Sequence, residues 1–328
     1  MPERRAMLVG VNTYPQFSNL SACVADAEGL RAVLARHKGS ENRKNFDCHV
    51  WPDRTLDGHR ITRGRLRQGL HDLFDYDGDV LLYFSGHGYL TKTGGFLCTE
   101  DAAINDWGIP MQEVVGLANA SRARQILIIL DCCHSGDMAI TAGPNPLATL
   151  REDMTVIAAS RASQPAVEAG GHGLFTAAVI DALEGGASDH MGIVTAPAIY
   201  AYVSRRFTAF DQRPVYKCNA TEVLTVRECE PLIQRLQLDL LPRYFPSATH
   251  KYQLDAEFEP EDEHGNMREP VNHEKVAIAK LLKVYRDAGL LKPTDPALQL
   301  YWVAHKGGTV ELTPRGREYW WLVVNDKI

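Results

Sequence analysis

No run of the sequence is long and apolar enough to cross a bilayer as a helix, which would take about 20 consecutive, predominantly apolar residues. The opening Met1-Pro2-Glu3-Arg4-Arg5 leads straight into a strand-like run too short for the apolar region of a secretory signal. Cysteine is sparse and unpatterned. The seven residues stand at 23, 48, 98, 132, 133, 218 and 229, an odd number at irregular spacing, which excludes a disulfide framework and suits a reducing cytoplasm. Positive charge is not in excess either. Lys and Arg number 35 against 41 Asp and Glu, a net charge of −6, so nonspecific binding to nucleic acid by the whole chain is not expected. There is no internal repeat and no low-complexity tract. What remains is an ordinary soluble composition, 45% hydrophobic and 23% charged, over 328 residues. That length suits one medium domain plus a smaller one.

Two short segments carry the chemistry. Asp79-Val80-Leu81-Leu82 runs into Tyr83-Phe84-Ser85-Gly86-His87-Gly88, and Gln125-Ile126-Leu127-Ile128-Ile129-Leu130 runs into Asp131-Cys132-Cys133-His134-Ser135-Gly136. Both apolar runs lack polar alternation, as strands buried on both faces of a parallel sheet do. Functional side chains in such sheets gather beyond the carboxyl ends of the strands. His87 and Cys133 can therefore meet in space, giving a thiol with its own base. The flanking pattern alternates strand and helix: helices over 22–37, 62–74, 110–120, 175–183 and 196–207, and strands at 47–51, 154–158 and 214–216. A glycine-rich loop or hairpin falls between Gly88 and Ala102. Alternation of this kind predicts a sheet with helices on both faces.

Ser-Gly-His-Gly after one strand and Asp-Cys-Cys-His-Ser-Gly after the next resemble the caspase-like cysteine peptidases, in particular the metacaspase and bacterial caspase-homologue branch. The resemblance runs over about residues 4–228 and includes Leu8–Tyr14, Cys23–Ala27, Ala158-Ala159-Ser160 with Glu168, and Gly173-Leu174-Phe175-Thr176. The histidine-to-cysteine spacing agrees with the family. The resemblance implies an α/β caspase-haemoglobinase fold, with a mostly parallel six-stranded sheet and helices on both faces. It implies a cysteine endopeptidase with Cys133 as nucleophile, His87 as its base, and the backbone N–H groups of Cys133 and Gly88 as an oxyanion hole. It carries no metal and no cofactor.

Specificity follows from the same match. Aspartate-specific caspases have glutamine two residues before the nucleophile; here Asp131 stands there, Asp26 matches the acid of the first helix, and Ser85 precedes the histidine by two. Carboxylates at the base of an S1 pocket attract Arg or Lys and repel Asp. Against this, Asp26 is also read as a helix cap, Asp131 as a strand-end residue, and Cys133 as an inert buried thiol. The segment 137–153 matches the loop that many caspases cut, with Arg151 as its only basic residue and so the expected self-cleavage site. Cys132 is expected to pack inward. Glu100 and Asp101 are read as solvated acids.

Composition changes after about residue 228. We read 1–228 as the peptidase domain, 229–250 as a connecting segment and 251–328 as a small α+β domain. Residues 255–263 read as an acidic linker or exposed loop, 273–289 as an amphipathic helix, and 298–304 with 309–312 as a hairpin before a last helix. This order resembles a winged-helix module. Bacterial caspase homologues with added C-terminal domains resemble effectors of stress or antiviral defence, which implies a module that senses a small molecule or protein partner. Protein or peptide substrates are expected, with no membrane and no nucleic acid. The rival readings are a non-proteolytic signalling or DNA-binding protein acting through the C-terminal module, and a Cys132-Cys133 redox sensor.

Overall fold

A computed structural model of the chain describes residues 3–39, 42–53, 60–92, 94–132, 149–159, 168–169, 171–207 and 214–328. The chain divides into two compact units, Met1–Glu230 and Pro231–Ile328. The elements of the first, in chain order, are β1 (Arg4–Gly10), α1 (Cys23–Leu34), β2 (Asp47–Trp51), α2 (Arg63–Phe74), β3 (Asp79–Ser85), β4 (Gly88–Thr91), β5 (Gly94–Ala103), β6 (Asp106–Pro110), α3 (Met111–Asn119), β7 (Gln125–Asp131), β8 (Met154–Ala158), β9 (Glu168–Ala169), β10 (His172–Gly173), α4 (Leu174–Asp181), β11 (Ile193–Thr195), α5 (Ala196–Ser204), β12 (Val215–Asn219) and β13 (Thr225–Glu228).

Six strands form the central sheet in the order β12-β8-β7-β3-β1-β2. All neighbours are parallel except the edge strand β12, which runs antiparallel to β8. The two strands with uninterrupted apolar runs, β3 and β7, lie side by side at the centre, and every residue of both is buried. Because side chains alternate across a strand, each run feeds two cores. Val80, Leu82 and Phe84 join Ile126, Ile128 and Leu130 in the core beneath α2 and α3, whereas Leu81 and Tyr83 join Leu127 and Ile129 in the core beneath α1, α4 and α5. This is the helix-flanked sheet that the sequence pattern predicts, with the six mostly parallel strands that the resemblance implies. The expected hairpin after Gly88 is a three-stranded antiparallel sheet, β4-β5-β6. Glu100 and Asp101 are not simply solvated. They accept from the backbone N–H groups of Ile61 and Arg63 and so fix the start of α2.

The second unit contains α6 (Arg235–Leu238), α7 (Leu241–Tyr244), β14 (Lys251–Gln253), α8 (His273–Asp287), β15 (Leu291–Pro293), α9 (Leu300–His305), β16 (Thr309–Leu312) and α10 (Pro314–Val324). Its sheet is antiparallel in the order β14-β16-β15. Leu238, Leu241 and Phe245 are fully buried within it, and the Trp320 indole donates to the Phe245 carbonyl. One expectation fails here, and a second holds only in part. Residues 298–304 do not form a strand of a hairpin: Leu300, Val303 and Ala304 are buried at helical spacing on α9, and β15 pairs with β16 instead. A short apolar run fits either period, and tertiary burial decides. The acidic stretch is not a free linker. Phe258 and Glu259 are buried, Lys275 pairs with Asp255 and Glu257 at 2.5 and 2.9 Å, and Lys283 pairs with Glu259 at 2.9 Å. Two lysines of α8, Lys275 and Lys283, are thus matched within their own unit. Among the described residues no helix is long and apolar enough to cross a membrane.

One contact fixes α1 against the sheet. Gly10 ends β1 with its Cα against the start of α1, where a Cβ would lie 2.1 Å from the Cys23 carbonyl oxygen. Gly10→Ala must push the helix away, and overpacking of this kind costs about 1–3 kcal/mol. A lowered midpoint in urea denaturation is expected, and a wild-type midpoint would contradict this packing.

Candidate active site

Ser85 and Asp131, the last residues of β3 and β7, are register partners on adjacent parallel strands. The chain stays in step just past them, since the Gly86 N–H donates to the Asp131 carbonyl at 3.3 Å. Asp26 comes from the first turn of α1, which crosses above this strand end. Its carboxylate is 1% exposed and collects three donors. Ser85 Oγ donates to Oδ2 at 3.1 Å, while His172 Nδ1 and the Gly173 N–H meet Oδ1 at 3.0 and 3.1 Å. The carboxylate oxygen is the acceptor, so His172 carries its proton on Nδ1. Asp131, also buried, accepts from Thr176 Oγ1 at 2.7 Å, and Tyr83 Oη lies 2.6 Å from that same hydroxyl. With the Thr176 proton given to Asp131, Tyr83 is left to donate to Thr176, and the chain Tyr83–Thr176–Asp131 closes with every group satisfied.

Two buried carboxylates therefore face one small region. Burial raises the Asp26 carboxyl above its ordinary range, and the charge of Asp131 pushes the same way; the hydrogen bonds from Gly173, His172 and Ser85 oppose both. The Tyr83 phenol is raised well above its usual value, first by burial and then by the Asp131 and Asp26 charges, which keeps it a donor.

His87 follows Ser85 by two residues and is half-buried. The loop between β1 and α1 holds it. Asn12 accepts from the Val24 N–H and donates to the Ser21 carbonyl, and Asn19 accepts from the Tyr14 N–H. This knits the loop so that the Ser18 carbonyl meets His87 Nε2 at 2.8 Å. A carbonyl only accepts, so Nε2 bears the proton and the neutral ring keeps its lone pair on Nδ1. The Tyr14 hydroxyl accepts from the His87 N–H at 2.9 Å, and its ring stands edge-on to the imidazole at a centroid distance of 4.7 Å. Gly86 makes this possible, since a Cβ there would lie 2.5 Å from Tyr14 Oη.

The structure thus brings Asp26, Ser85 and Asp131 together, with His87 two residues beyond Ser85. Gly88 opens β4 directly after the histidine. Cys132 is 2% exposed and packs in the core under α2 and α3. Cys133, expected as nucleophile and as one oxyanion donor, lies outside the described residues, as does most of the expected self-cleavage loop. Arg151 is described and tethered. Its N–H donates to Asn119, and its guanidinium donates to the carbonyls of Ser121 and Glu152. Cleavage after Arg151 would first require these bonds to break. Sequence reasoning missed His172, Thr176, Tyr83 and Tyr14 as parts of this site. Thr176 lay within a motif that was noticed, but the two-residue strands β9 and β10 give no periodicity that would single out His172.

The caspase-domain family model matches residues 3–225. Among solved structures, a protein from Geobacter sulfurreducens superposes with a TM-score of 0.50 at 19% identity, covering 70% of this chain and 98% of that one. Caspase-1 from Spodoptera frugiperda does so with a TM-score of 0.50 at 13% identity, covering 70% of this chain and 91% of its own. At these identities the likeness concerns the fold. No curated protein sequence matches the chain.

The raised Asp26 has a consequence for stability. A carboxyl whose native pKa lies above its unfolded value favours folding while protonated, and that contribution is lost as pH rises through the native pKa. Asp26→Asn keeps all three hydrogen bonds, because Oδ1 still accepts from His172 and Gly173 while the amide donates to Ser85. At neutral pH the Asn variant is expected to unfold at or above the wild-type denaturant midpoint, an advantage that disappears at pH below the ordinary aspartate range. A variant less stable than wild type at pH 7 would contradict the buried-charge assignment.

Proposed function

As the chain belongs to the caspase-domain family of cysteine peptidases, we propose that its nucleophile is Cys133, its base His87, and its preferred substrate a peptide with Arg or Lys at P1. The observation that carries the specificity is the pair of buried carboxylates beside the ends of β3 and β7: Asp131, which ends β7, and Asp26, from the first turn of α1. Burial and the charge of Asp131 raise the cost of ionising Asp26, and a bound guanidinium or ammonium relieves that cost. An acidic P1 side chain would add a third negative charge to the same buried region.

The mechanism uses the histidine orientation already described. His87 Nδ1 takes the proton of the Cys133 thiol, and the sulfur attacks the scissile carbonyl carbon. The developing oxyanion is held by the backbone N–H groups of Cys133 and Gly88. His87 then gives its proton to the departing amine, leaving an acyl-enzyme thioester. Water, deprotonated by the same nitrogen, hydrolyses the thioester and restores the thiol. The Ser18 carbonyl holds Nε2–H throughout, so the ring presents the same nitrogen in both half-reactions. Fluorogenic peptides ending in Arg, Lys or Asp test the proposal on protein purified under reducing conditions. Arg or Lys peptides are expected to be cleaved, with activity abolished in Cys133→Ala and kcat/KM reduced about 100-fold, about 2.7 kcal/mol, in Asp26→Asn or Asp131→Asn. Comparable cleavage of Asp peptides, or activity surviving Cys133→Ala, would refute it.

His172 enters as a positioning residue, because its Nδ1–H fixes the Asp26 carboxylate from the side opposite Ser85. Asn reproduces a donor at the Nδ1 position and Gln does not. His172→Asn is expected to keep the wild-type KM for an Arg peptide, whereas His172→Gln raises KM about tenfold with little change in kcat. Equal KM values in both variants would remove the role. To the C-terminal unit, where Trp302 and Trp321 are 42% and 51% exposed, we assign the binding of a ligand or partner; that this gates the peptidase in stress or defence rests on the family resemblance.

A further inference from the structure

His87 is one ring of an aromatic group. Phe17, from the loop after β1, lies 5.3 Å from the His87 ring, 5.8 Å from Tyr89 on β4 and 5.6 Å from Trp107 on β6. Tyr89 and Trp107 are 4.1 Å apart and only 33° from parallel. All three are half-buried and rest on the core beneath α2 and α3, and the neighbouring Leu90 is 44% exposed. A single exposed ring is ordinary, but a contiguous apolar platform joined to a catalytic imidazole has a reason to be there.

The sheet order says which part of a substrate meets it. Strand β3, which delivers His87, lies between β7 and β1. The cysteine motif follows β7 on one side, and Tyr14, Phe17 and Ser18 follow β1 on the other. The acyl half of the substrate becomes bonded to the nucleophile of the motif that follows β7, so it is held on that side. The leaving amine takes its proton from His87, so the peptide beyond the scissile bond passes over that ring toward the β1 loop, β4 and β6.

We propose that Phe17, Tyr89 and Trp107 form a leaving-group subsite for an apolar, preferentially aromatic, side chain within three residues on the carboxyl side of the cut. The platform runs from His87 through Phe17 to Trp107 in two ring spacings of 5.3 and 5.6 Å, a reach that extended peptide at about 3.3 Å per residue covers in about three residues. Stacking on Tyr89 and Trp107 supplies affinity, and burial of their exposed faces adds to it. The inference rests on the proposed Cys133/His87 chemistry but not on the choice of P1 residue.

Digestion of a proteome-derived peptide library by the full chain, with both sides of every cut read by mass spectrometry, separates the two claims. Enrichment of Phe, Tyr, Trp or Leu at the first three leaving-side positions is expected, and it should fall at least fivefold in both Trp107→Ala and Tyr89→Ala while the P1 preference is retained. Trp107→Phe, which keeps a ring there, should preserve it. Cuts after Arg or Lys with no leaving-side preference, or with one unchanged in the two Ala variants, would overturn the subsite and leave the P1 reading standing. A leaving-side preference beneath cuts after other residues would support the subsite and overturn the P1 reading. Absence of any cut dependent on Cys133 would overturn both.

Discussion

The register of β3 against β7 is the constraint on which the site depends. Pairing Ser85 with Asp131 puts the ends of two fully buried strands side by side, so the residues that follow them start from the same level of the sheet. A slip of β3 by one residue would turn its side chains to the opposite core. Val80, Leu82 and Phe84 would then face α1, and Leu81 and Tyr83 would face α2 and α3. The two cores, each built on one alternate set, fix the register that holds two buried carboxylates beside the same strand ends.

Those carboxylates make the site costly in isolation, and the surrounding hydrogen bonds reduce that cost only in part. Asp26 has Ser85, His172 and the Gly173 backbone; Asp131 has Thr176 backed by Tyr83. Burial still outweighs the donors at Asp26, whose carboxyl remains harder to ionise than usual. A cationic ligand is the natural complement of such a region, and Arg is better suited than Lys to reach two acceptors at once because its planar fork carries several donors. The histidine is governed by different physics. It is held from the β1 side by a carbonyl, a tyrosine hydroxyl and ring contacts, none of which needs a charge.

Much of this was legible in the sequence for a specific reason. Strands buried on both faces are written as unbroken apolar runs, and the motifs beyond 79–82 and 125–130 stand out against them. Asp26, Ser85 and Asp131 were reached through a family resemblance, since a buried aspartate on a helix looks no different in sequence from an exposed one. The roles of His172 and Tyr14 could not be read, although Tyr14 closes one of the segments of the resemblance, because they rest on contacts made across 146 and 73 residues of chain. In the C-terminal unit, Leu300–His305 misled because six residues with apolar positions at either period cannot declare a helix. Most acids of the 255–263 stretch are exposed, as charge composition suggests, but their ties to α8 were not legible because the partners lie up to 24 residues away.

The central claim is that Asp26 and Asp131 together receive the P1 cation beside a cysteine–histidine pair. The most direct measurement is a crystal structure of the full chain inactivated with a peptidyl-arginyl chloromethyl ketone. The account predicts a covalent bond to Cys133 Sγ, with the guanidinium within hydrogen-bond distance of both carboxylates. Alkylation of another cysteine, or a guanidinium that leaves both carboxylates untouched, would contradict it.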